Sequence, residues 1–392
     1  MQTESRLVQV FDGVVLPMLA LAGAVLLFGG FVWLGGTSPT ETWLLLFKGA
    51  FGDAFSWQNT LQRAAPLMLT ALCVAIPYRA GLMVIGGEGA LVLGGLACAG
   101  LPYLITPPDG LVGTALVLLA SAFAGAAWLA LVGVLRQYRG VNETISSLLM
   151  GYLAIALFKH FVEGPMRDPA SLNKPSTLPL PESVLLGMMP GYEVHWGLVW
   201  GVVACVLAGV WLFGSTHGFA TRVVGGNARA ARLVGLPSHL LVITACGLGG
   251  ACAGLAGGIE VAAVHTAANA SLIAGLGYTG ILVSFVARHN PFAVIPVAIL
   301  FGGFGAAGSL LQRRLDLPDA SVLVLQGFAF VLILASEAGR GKLGEWLQRP
   351  QVAPADRPHE TSRQRLARMA RERAARKVAL KAAMNADRRE AA

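Results

Sequence analysis

Three carboxylate side chains lie inside or beside long apolar runs of the sequence, and they are the first candidates for chemistry. Glu88 stands between glycines, Glu143 follows an asparagine, and Glu260 ends a glycine-rich run. An ionisable side chain at membrane depth is costly to bury and usually serves transport. The predicted solute-pathway residues are therefore Glu88, Asn142, Glu143 and Glu260.

The sequence leaves a structural alternative open for each of these residues. Glu88 interrupts an apolar segment, so its carboxylate either faces a solute or caps the freed amides of its own broken helix. Asn142 and Glu143 open a helix, which favours N-terminal capping over solute contact. Glu260 lies near an outer helix end, where it either contacts a solute or only reaches the membrane interface.

Composition indicates the elements that hold these residues. Of the 392 residues 55% are hydrophobic and only 13% are charged, whereas soluble domains carry roughly a quarter charged residues. Six uncharged runs are long enough to cross a bilayer: 14–36, 111–135, 196–213, 240–259, 291–312 and 320–336. Shorter candidates are 64–78, 80–100, 144–158 and 270–287. The sequence predicts an all-α polytopic membrane protein of about ten transmembrane helices, with at least one broken helix at Glu88.

Small residues shape how these helices pack. Gly250, Gly254 and Gly258 are four apart, a spacing that lets two helices approach closely. The spacing fits a dimer face and packing inside the chain equally well. The five cysteines lie in apolar segments without CxxC spacing, which favours small buried apolar residues over a redox or metal site.

Enzyme motifs are missing from the chain. It contains no GxxxxGK[ST], HExxH or GxSxG pattern. We therefore predict that the chain is not an enzyme and binds no cofactor or metal itself.

The distribution of charge predicts orientation. From residue 340 onward 14 Lys and Arg face 6 Asp and Glu, so the whole net charge of +8 belongs to this segment. Arginines flank alternate ends of the predicted spans, which favours both termini in the cytoplasm. We predict a transmembrane domain over residues 1–338 and a basic cytoplasmic tail over residues 339–392.

Two long connections differ in character. Residues 163–195 are rich in proline and are predicted to lie outside. Residues 214–239 are basic and rich in alanine, and Asn227 can cap a short helix that Gly235 stops. The small side chains of Ala228, Ala230 and Ala231 suit a helix seated in a groove of another protein. A solvated connector is the alternative interpretation.

Four stretches resemble the permeases of ABC importers for ribose, branched-chain amino acids and nucleosides. They are residues 78–89, 142–154, 225–235 and 254–260, the last with residues 280–283 and 288–291. The second stretch resembles the branch for nucleosides and simple sugars. Val84, Gly151 and Ala287 depart from the family pattern. The resemblance spans about residues 60–335.

The resemblance implies a role in the bacterial inner membrane. The family's pattern implies that Gly226, Asn227, Ala230, Ala231 and Gly235 meet an ATP-binding subunit. It also implies a second homologous permease and a periplasmic or lipoprotein solute-binding receptor, with ATP and Mg²⁺ used by the partner subunits. The implied function is import of a small polar solute, a nucleoside or a simple sugar.

Two rival functions remain open at this stage. An ion-gradient-driven secondary transporter would move a polar solute without an ATPase, although the sequence offers few buried carboxylates for an ion relay. A non-transporting membrane subunit is the second rival. The sequence does not distinguish a nucleoside, a free base or a sugar as the solute.

Overall fold

The computed structural model describes residues 16–338 except 172–173 and 319. These residues are helical apart from turns, connections and two isolated β-bridges, which join Ser176 to Asn269 and Met188 to His195. The predicted tail over residues 339–392 and the start of the predicted span 14–36 lie outside the described residues.

Thirteen α-helices follow one another along the described part of the chain. They are α1 (Leu16–Leu34), α2 (Pro39–Phe51), α3 (Ala54–Arg79), α4 (Gly87–Leu104), α5 (Leu111–Arg139), α6 (Glu143–Glu163), α7 (Gly197–Gly214), α8 (Thr216–Gly226), α9 (Ala228–Leu233), α10 (Ser238–Ile259), α11 (Leu276–Val286), α12 (Pro291–Leu315) and α13 (Ser321–Ala338). A π-helical turn, Glu260–His265, continues α10, and 3₁₀ turns occur at Glu182–Val184 and Ala270–Leu272.

The helices confirm the all-α membrane fold. Seven of them are long and apolar enough to cross a membrane, namely α3, α4, α5, α6, α7, α12 and α10 with its π-helical turn. Three shorter apolar helices are Met18–Leu34, Ala270–Val286 and Ser321–Ser336.

Helix α3 forms the centre of the bundle. Every residue from Ala64 to Pro77 is buried. The helices α7, α10, α11 and α12 pack around this segment. A helix that is apolar and buried on all sides belongs to the core, so α3 is the element on which the others are positioned.

The glycine spacing of α10 serves packing inside this chain. A Cβ on Gly254 would lie 2.2 Å from the carbonyl oxygen of Ser121 on α5, and one on Gly257 would lie 1.9 Å from that of Leu91 on α4. Gly250 is equally close to the Gly125 carbonyl of α5. Because these faces are occupied by neighbouring helices, they are not available as a dimer face.

Two predicted spans begin later than the sequence suggested. Residues 80–86 are not helical and α4 starts at Gly87, so the helix is broken before Glu88 rather than at it. The predicted span 270–287 is regular α-helix only from Leu276. In both places a glycine with positive φ, Gly81 or Gly275, turns the backbone out of the helical path.

Two helices were not predicted, α2 and α8. Helix α2 buries Thr42, Leu46, Gly49 and Ala50, which recur at helical spacing on one face, and it packs against α12. Its other face carries charged residues, so a search for uncharged runs misses it. Helix α8 is short and polar, and it was predicted only as part of the connection 214–239.

Candidate functional site

The Glu88 carboxylate holds the start of another helix. The side chain is 1% exposed. Its Oε1 accepts the amide of Gly275 at 2.8 Å, and its Oε2 accepts that of Gly277 at 2.6 Å. These amides belong to the N-terminus of α11, where backbone donors lack helical partners and a negative charge is favoured. We call this arrangement, made by Glu88, Gly275 and Gly277, the Glu88 clasp.

The clasp corrects the capping interpretation of Glu88. Of the two roles left open for Glu88, capping of its own broken helix is not observed, because both amides that it accepts belong to α11. Gly277 must remain small, since a Cβ there would lie 2.2 Å from the Glu88 nitrogen. The clasp therefore joins two broken segments that are distant in sequence.

Helix α6 supports the irregular segment 80–86, which leads to the clasp. The Thr144 hydroxyl donates to the Met83 carbonyl at 3.0 Å, and the Ser147 hydroxyl accepts the Ile85 amide at 3.0 Å. Residues 80–86 are not helical, so their backbone N–H and C=O groups need hydrogen-bond partners from other elements. Two polar residues in the first turns of α6 therefore fix the position of the segment 80–86.

Asn142 and Glu143 fix the beginning of α6. The Asn142 side-chain oxygen accepts the amides of Thr144 and Ile145 at 2.9 and 3.1 Å. This confirms the predicted N-cap. Oε2 of Glu143 lies 3.2 Å from Nε of Arg136 on α5. The ion pair ties α6 to the C-terminal end of α5.

Glu260 lies apart from the other predicted pathway residues. It begins the π-helical turn after α10, is 9% exposed, and has Oε2 3.7 Å from Nε2 of His265. Its side chain is therefore packed against this chain rather than exposed at the surface of the bundle. The neighbouring Gly258 carbonyl contacts Cys98, ten residues beyond Glu88 and thus about 15 Å further along α4.

The proline-rich connection covers the end of the bundle near Glu260. The amide of Leu180 donates to the Thr266 carbonyl at 2.8 Å, and that of Leu186 to the Ala262 carbonyl at 2.9 Å. The connection therefore lies across the irregular segment between α10 and α11. We call this the loop end of the bundle.

His195 is a buried imidazole at the loop end. It is 1% exposed, and its Nδ1 accepts the Gly197 amide at 3.1 Å. That bond assigns the proton of the neutral ring to Nε2, which has no hydrogen-bond partner among the described residues. Burial lowers the pKa of the His195 imidazole, so the neutral ring is favoured.

Arginines gather at the opposite end of the bundle. Nε and Nη2 of Arg79 donate to the His289 carbonyl at 3.1 and 2.9 Å, joining α3 to the connection between α11 and α12. The guanidinium groups of Arg79 and Arg222 each lie 5.6 Å from the centre of the Phe213 ring. We call this the basic end.

The predicted short helix lies at the basic end, as α9. Asn227 caps it by accepting the amides of Arg229 and Ala230, both at 3.0 Å, which confirms the predicted start. Gly235 follows with φ +81°, as expected of a helix stop. We call residues 216–235, which contain α8 and α9, the coupling segment.

Exposure within the coupling segment differs from the prediction at one alanine. Ala228 and Ala230 are exposed, but Ala231 is fully buried in this chain. Ala231 therefore cannot enter a groove of another protein. The most exposed apolar residues of the segment are Leu233 and Val234, which are 89% and 73% exposed, and Phe219 of α8 is 60% exposed.

The coupling segment touches the turn that leads to the Glu88 clasp. A Cβ on Gly225 would lie 2.3 Å from the Arg79 carbonyl oxygen, so the two backbones are in contact. A cavity of about 310 Å³ beside this contact is lined by residues including Arg136 and Arg232. A displacement of the coupling segment would therefore act directly on residues 79–81, which begin the turn that leads to the clasp.

Several of these residues were not predicted from the sequence. Gly275 and Gly277 had a local signal, because paired glycines before an apolar run mark a helix start after a turn. Leu233 and Val234 are apolar residues in a polar connection, which is a signal for a contact surface. The hydroxyl contacts of Thr144 and Ser147 had no local signal, since both partners are backbone groups about sixty residues away.

These features define a class of protein. The chain is a multi-pass membrane protein with a packed helical bundle, broken segments joined inside it, and a basic helical segment at one end. It matches the family model of the branched-chain amino acid transport system permease component over residues 56–334, and it belongs to that family. In this family ATP hydrolysis takes place in a partner subunit, and the permease works with an ATPase and a binding protein.

Characterised relatives agree with the family assignment. The chain is 31% identical to the glucose ABC transporter permease protein TsgB13 of Haloferax volcanii, over 82% of this chain and 87% of that protein. It is 26% identical to the guanosine ABC transporter permease protein NupP of Bacillus subtilis, over 84% and 95% of the two chains. It is 27% identical to the nucleoside ABC transporter permease protein NupB of Lactococcus lactis, over 74% and 82%.

Proposed function

We propose that this permease imports an uncharged polar solute, a nucleoside in the first instance, across the cytoplasmic membrane. The relatives named for guanosine, nucleosides and glucose support this solute class over branched-chain amino acids. The stretch 142–154, which resembles the nucleoside branch, favours a nucleoside over a sugar. A second homologous permease completes the pathway, and a receptor delivers the solute at the loop end.

The topology has about ten spans, seven formed by the long helices and three by the shorter apolar ones. The basic end faces the cytoplasm, because positively charged connections are retained on that side. Both termini then lie in the cytoplasm, with the transmembrane domain ending near residue 338 and the basic tail following it.

The surface of the coupling segment is the observation that supports an ATP-driven importer. It presents Leu233 and Val234 to the outside beside the exposed arginines Arg229 and Arg232. Burying one such aliphatic side chain is worth about 1.5–3 kcal/mol, so an exposed pair at the tip of a capped helix suits docking on an ATPase. Gly226, Asn227, Ala230 and Gly235 shape the segment, and buried Ala231 anchors it to the bundle.

The predicted pathway residues take different parts in this scheme. Glu88 holds α11 in place through the clasp. Asn142 and Glu143 fix the start of α6, which contacts the irregular segment 80–86. Glu260 stands at the loop end, where a solute would enter. ATP binding by the partner subunits would move the coupling segment, and its contact with the Arg79 carbonyl would pass that movement to residues 79–86.

The test uses the whole importer, purified with its ATPase and receptor and reconstituted in vesicles. In Leu233→Ser, removing apolar docking area should lower receptor-stimulated ATP hydrolysis and guanosine uptake at least tenfold, with normal permease levels. The control is Leu104→Ser, an exposed leucine at the loop end of α4. Full activity in Leu233→Ser would place the docking surface elsewhere, and uptake by ATP-depleted vesicles would support a secondary transporter.

A further inference from the structure

A groove beside the Glu88 clasp lies between α11 and α13. Its volume is about 620 Å³, and the irregular segment before Glu88 contributes Met83 and Ile85 to its third side. Gly275 of the clasp lies in its wall. The groove is therefore bounded by both broken segments and by the last described helix.

None of the described residues that line the groove is charged. Within the part of the lining that the structure describes, the polar side chains are those of Tyr278, Thr279 and Gln326. A carboxylate or an ammonium group entering such a site would lose its hydration without gaining an opposite charge, which is strongly unfavourable. The lining therefore selects against amino acids and phosphorylated solutes.

Aromatic rings supply flat apolar surface in the groove. Phe285 and Phe330 meet edge to face with ring centres 6.4 Å apart. Tyr278 also lies in the groove wall and is 41% exposed. Aromatic side chains of this kind stack against planar rings, including nucleobases.

One amide in the groove is oriented for recognition. The Thr279 hydroxyl and Oε1 of Gln326 lie 3.2 Å apart and form a hydrogen bond. The NH₂ group of Gln326 makes no hydrogen bond with the described residues, and Oε1 retains a lone pair. A glutamine amide held this way can bind the edge of a base in bidentate fashion.

We propose that this groove is a solute-binding wall of the translocation pathway and that it takes the nucleobase of an uncharged nucleoside. A hexose would bring many hydroxyl groups against a largely apolar lining, and each unpaired hydroxyl would oppose binding. A nucleobase needs only stacking and one hydrogen-bonding edge, which Tyr278 and Gln326 supply. The assignment rests on the proposed transport function.

The test replaces Gly327, a glycine in the groove wall, by a larger residue. A Cβ on Gly327 would meet no other atom within 4 Å, so Gly327→Leu fills the groove without forcing the bundle apart. The matched control is Gly30→Leu, because Gly30 is also an exposed helical glycine with open space around it and lies on α1. Uptake of radiolabelled guanosine and glucose is measured in a strain whose chromosomal permease gene carries each variant.

We expect guanosine uptake to fall at least tenfold in Gly327→Leu and to stay near the wild-type rate in Gly30→Leu. Gln326→Leu should raise the KM for guanosine at least fivefold, and Gln326→Asn should raise it less. ATP-dependent uptake of glucose alone by the wild type would overturn the groove assignment and leave the importer function intact. Uptake of neither solute would overturn both proposals.

Other occupants of the groove give different results. If a lipid chain fills it, Gly327→Leu should transport guanosine normally, which would contradict the proposal. If a helix of the second permease fills it, Gly327→Leu should fail to co-purify with that permease, and this too would contradict the proposal. Loss of uptake with normal co-purification is the supporting result.

Discussion

Glu88 on α4 accepts the backbone amide of Gly277 on α11 at 2.6 Å, across 189 residues of sequence. With the second bond to Gly275, one buried carboxylate satisfies two donors at the start of a half-length helix. The Glu88 carboxylate therefore links the start of α4 to the start of α11. If a movement separates Glu88 from α11, the amides of Gly275 and Gly277 must form other hydrogen bonds.

Replacing Glu88 by Gln should weaken the clasp. The amide nitrogen of Gln would face a backbone N–H, so one donor pair would be left unsatisfied at a cost of about 1–3 kcal/mol. We expect a lower Tm in detergent and transport reduced at least severalfold. Glu41→Gln is the control, because Glu41 is exposed in the first turn of α2. An unchanged Tm in Glu88→Gln would contradict the clasp.

The contact between Gly225 and Arg79 should be required for coupling. In Gly225→Ala the new methyl would overlap the Arg79 carbonyl oxygen, which would push α8 away from residues 79–86. We expect the ATPase to bind normally while ATP hydrolysis no longer drives uptake. The comparison is Gly214→Ala, where an added Cβ would make only ordinary contact with Val210 at 3.9 Å. Equal uptake per ATP hydrolysed in both variants would rule out this route.

Ala231→Trp should act on folding rather than on docking. Ala231 is fully buried in this chain, and overpacking a filled site costs about 1–3 kcal/mol or more. We expect lower membrane levels and a lower Tm, measured on the permease without its partners. Leu233→Trp enlarges an exposed side chain and should leave the Tm unchanged. If Ala231→Trp were as stable as Leu233→Trp, the placement of α9 would be wrong.

His195 should make stability depend on pH at the loop end. Burial lowers the pKa of the folded imidazole below its unfolded value of about 6.5. The unfolded chain then binds more protons, so stability is present above about pH 6.5 and is lost as the pH falls toward the lowered pKa. Tm measured from pH 7.5 to 5 should fall less steeply in His195→Asn than in the wild type. The control His217→Asn, at an exposed position, should keep the wild-type slope.

The proposed orientation can be tested by cysteine labelling. Glu193→Cys at the loop end and His239→Cys at the basic end both place a thiol at an exposed position. The five native cysteines are buried or only partly exposed, so background labelling should be low. An impermeant thiol reagent should label Glu193→Cys in intact cells and His239→Cys only after permeabilisation. The reverse pattern would invert the topology.

The sequence by itself determined the class of fold and the local helix ends. Long uncharged runs require spanning helices, because backbone groups in a bilayer must find partners within the helix. Asn142 and Asn227 were recognisable as caps since a cap bonds amides two or three residues away. Such local geometry is readable from a single stretch of residues.

Only the tertiary structure decided which groups meet over long sequence distances. The sequence could not tell whether Gly254 packs within the chain, nor which amides Glu88 would satisfy. The burial of Ala231 was not predicted either, because the sequence of a six-residue helix does not show which face is turned toward its own bundle. These outcomes depend on how helices cross, and helix crossing is set by the shapes of both partners rather than by either sequence alone.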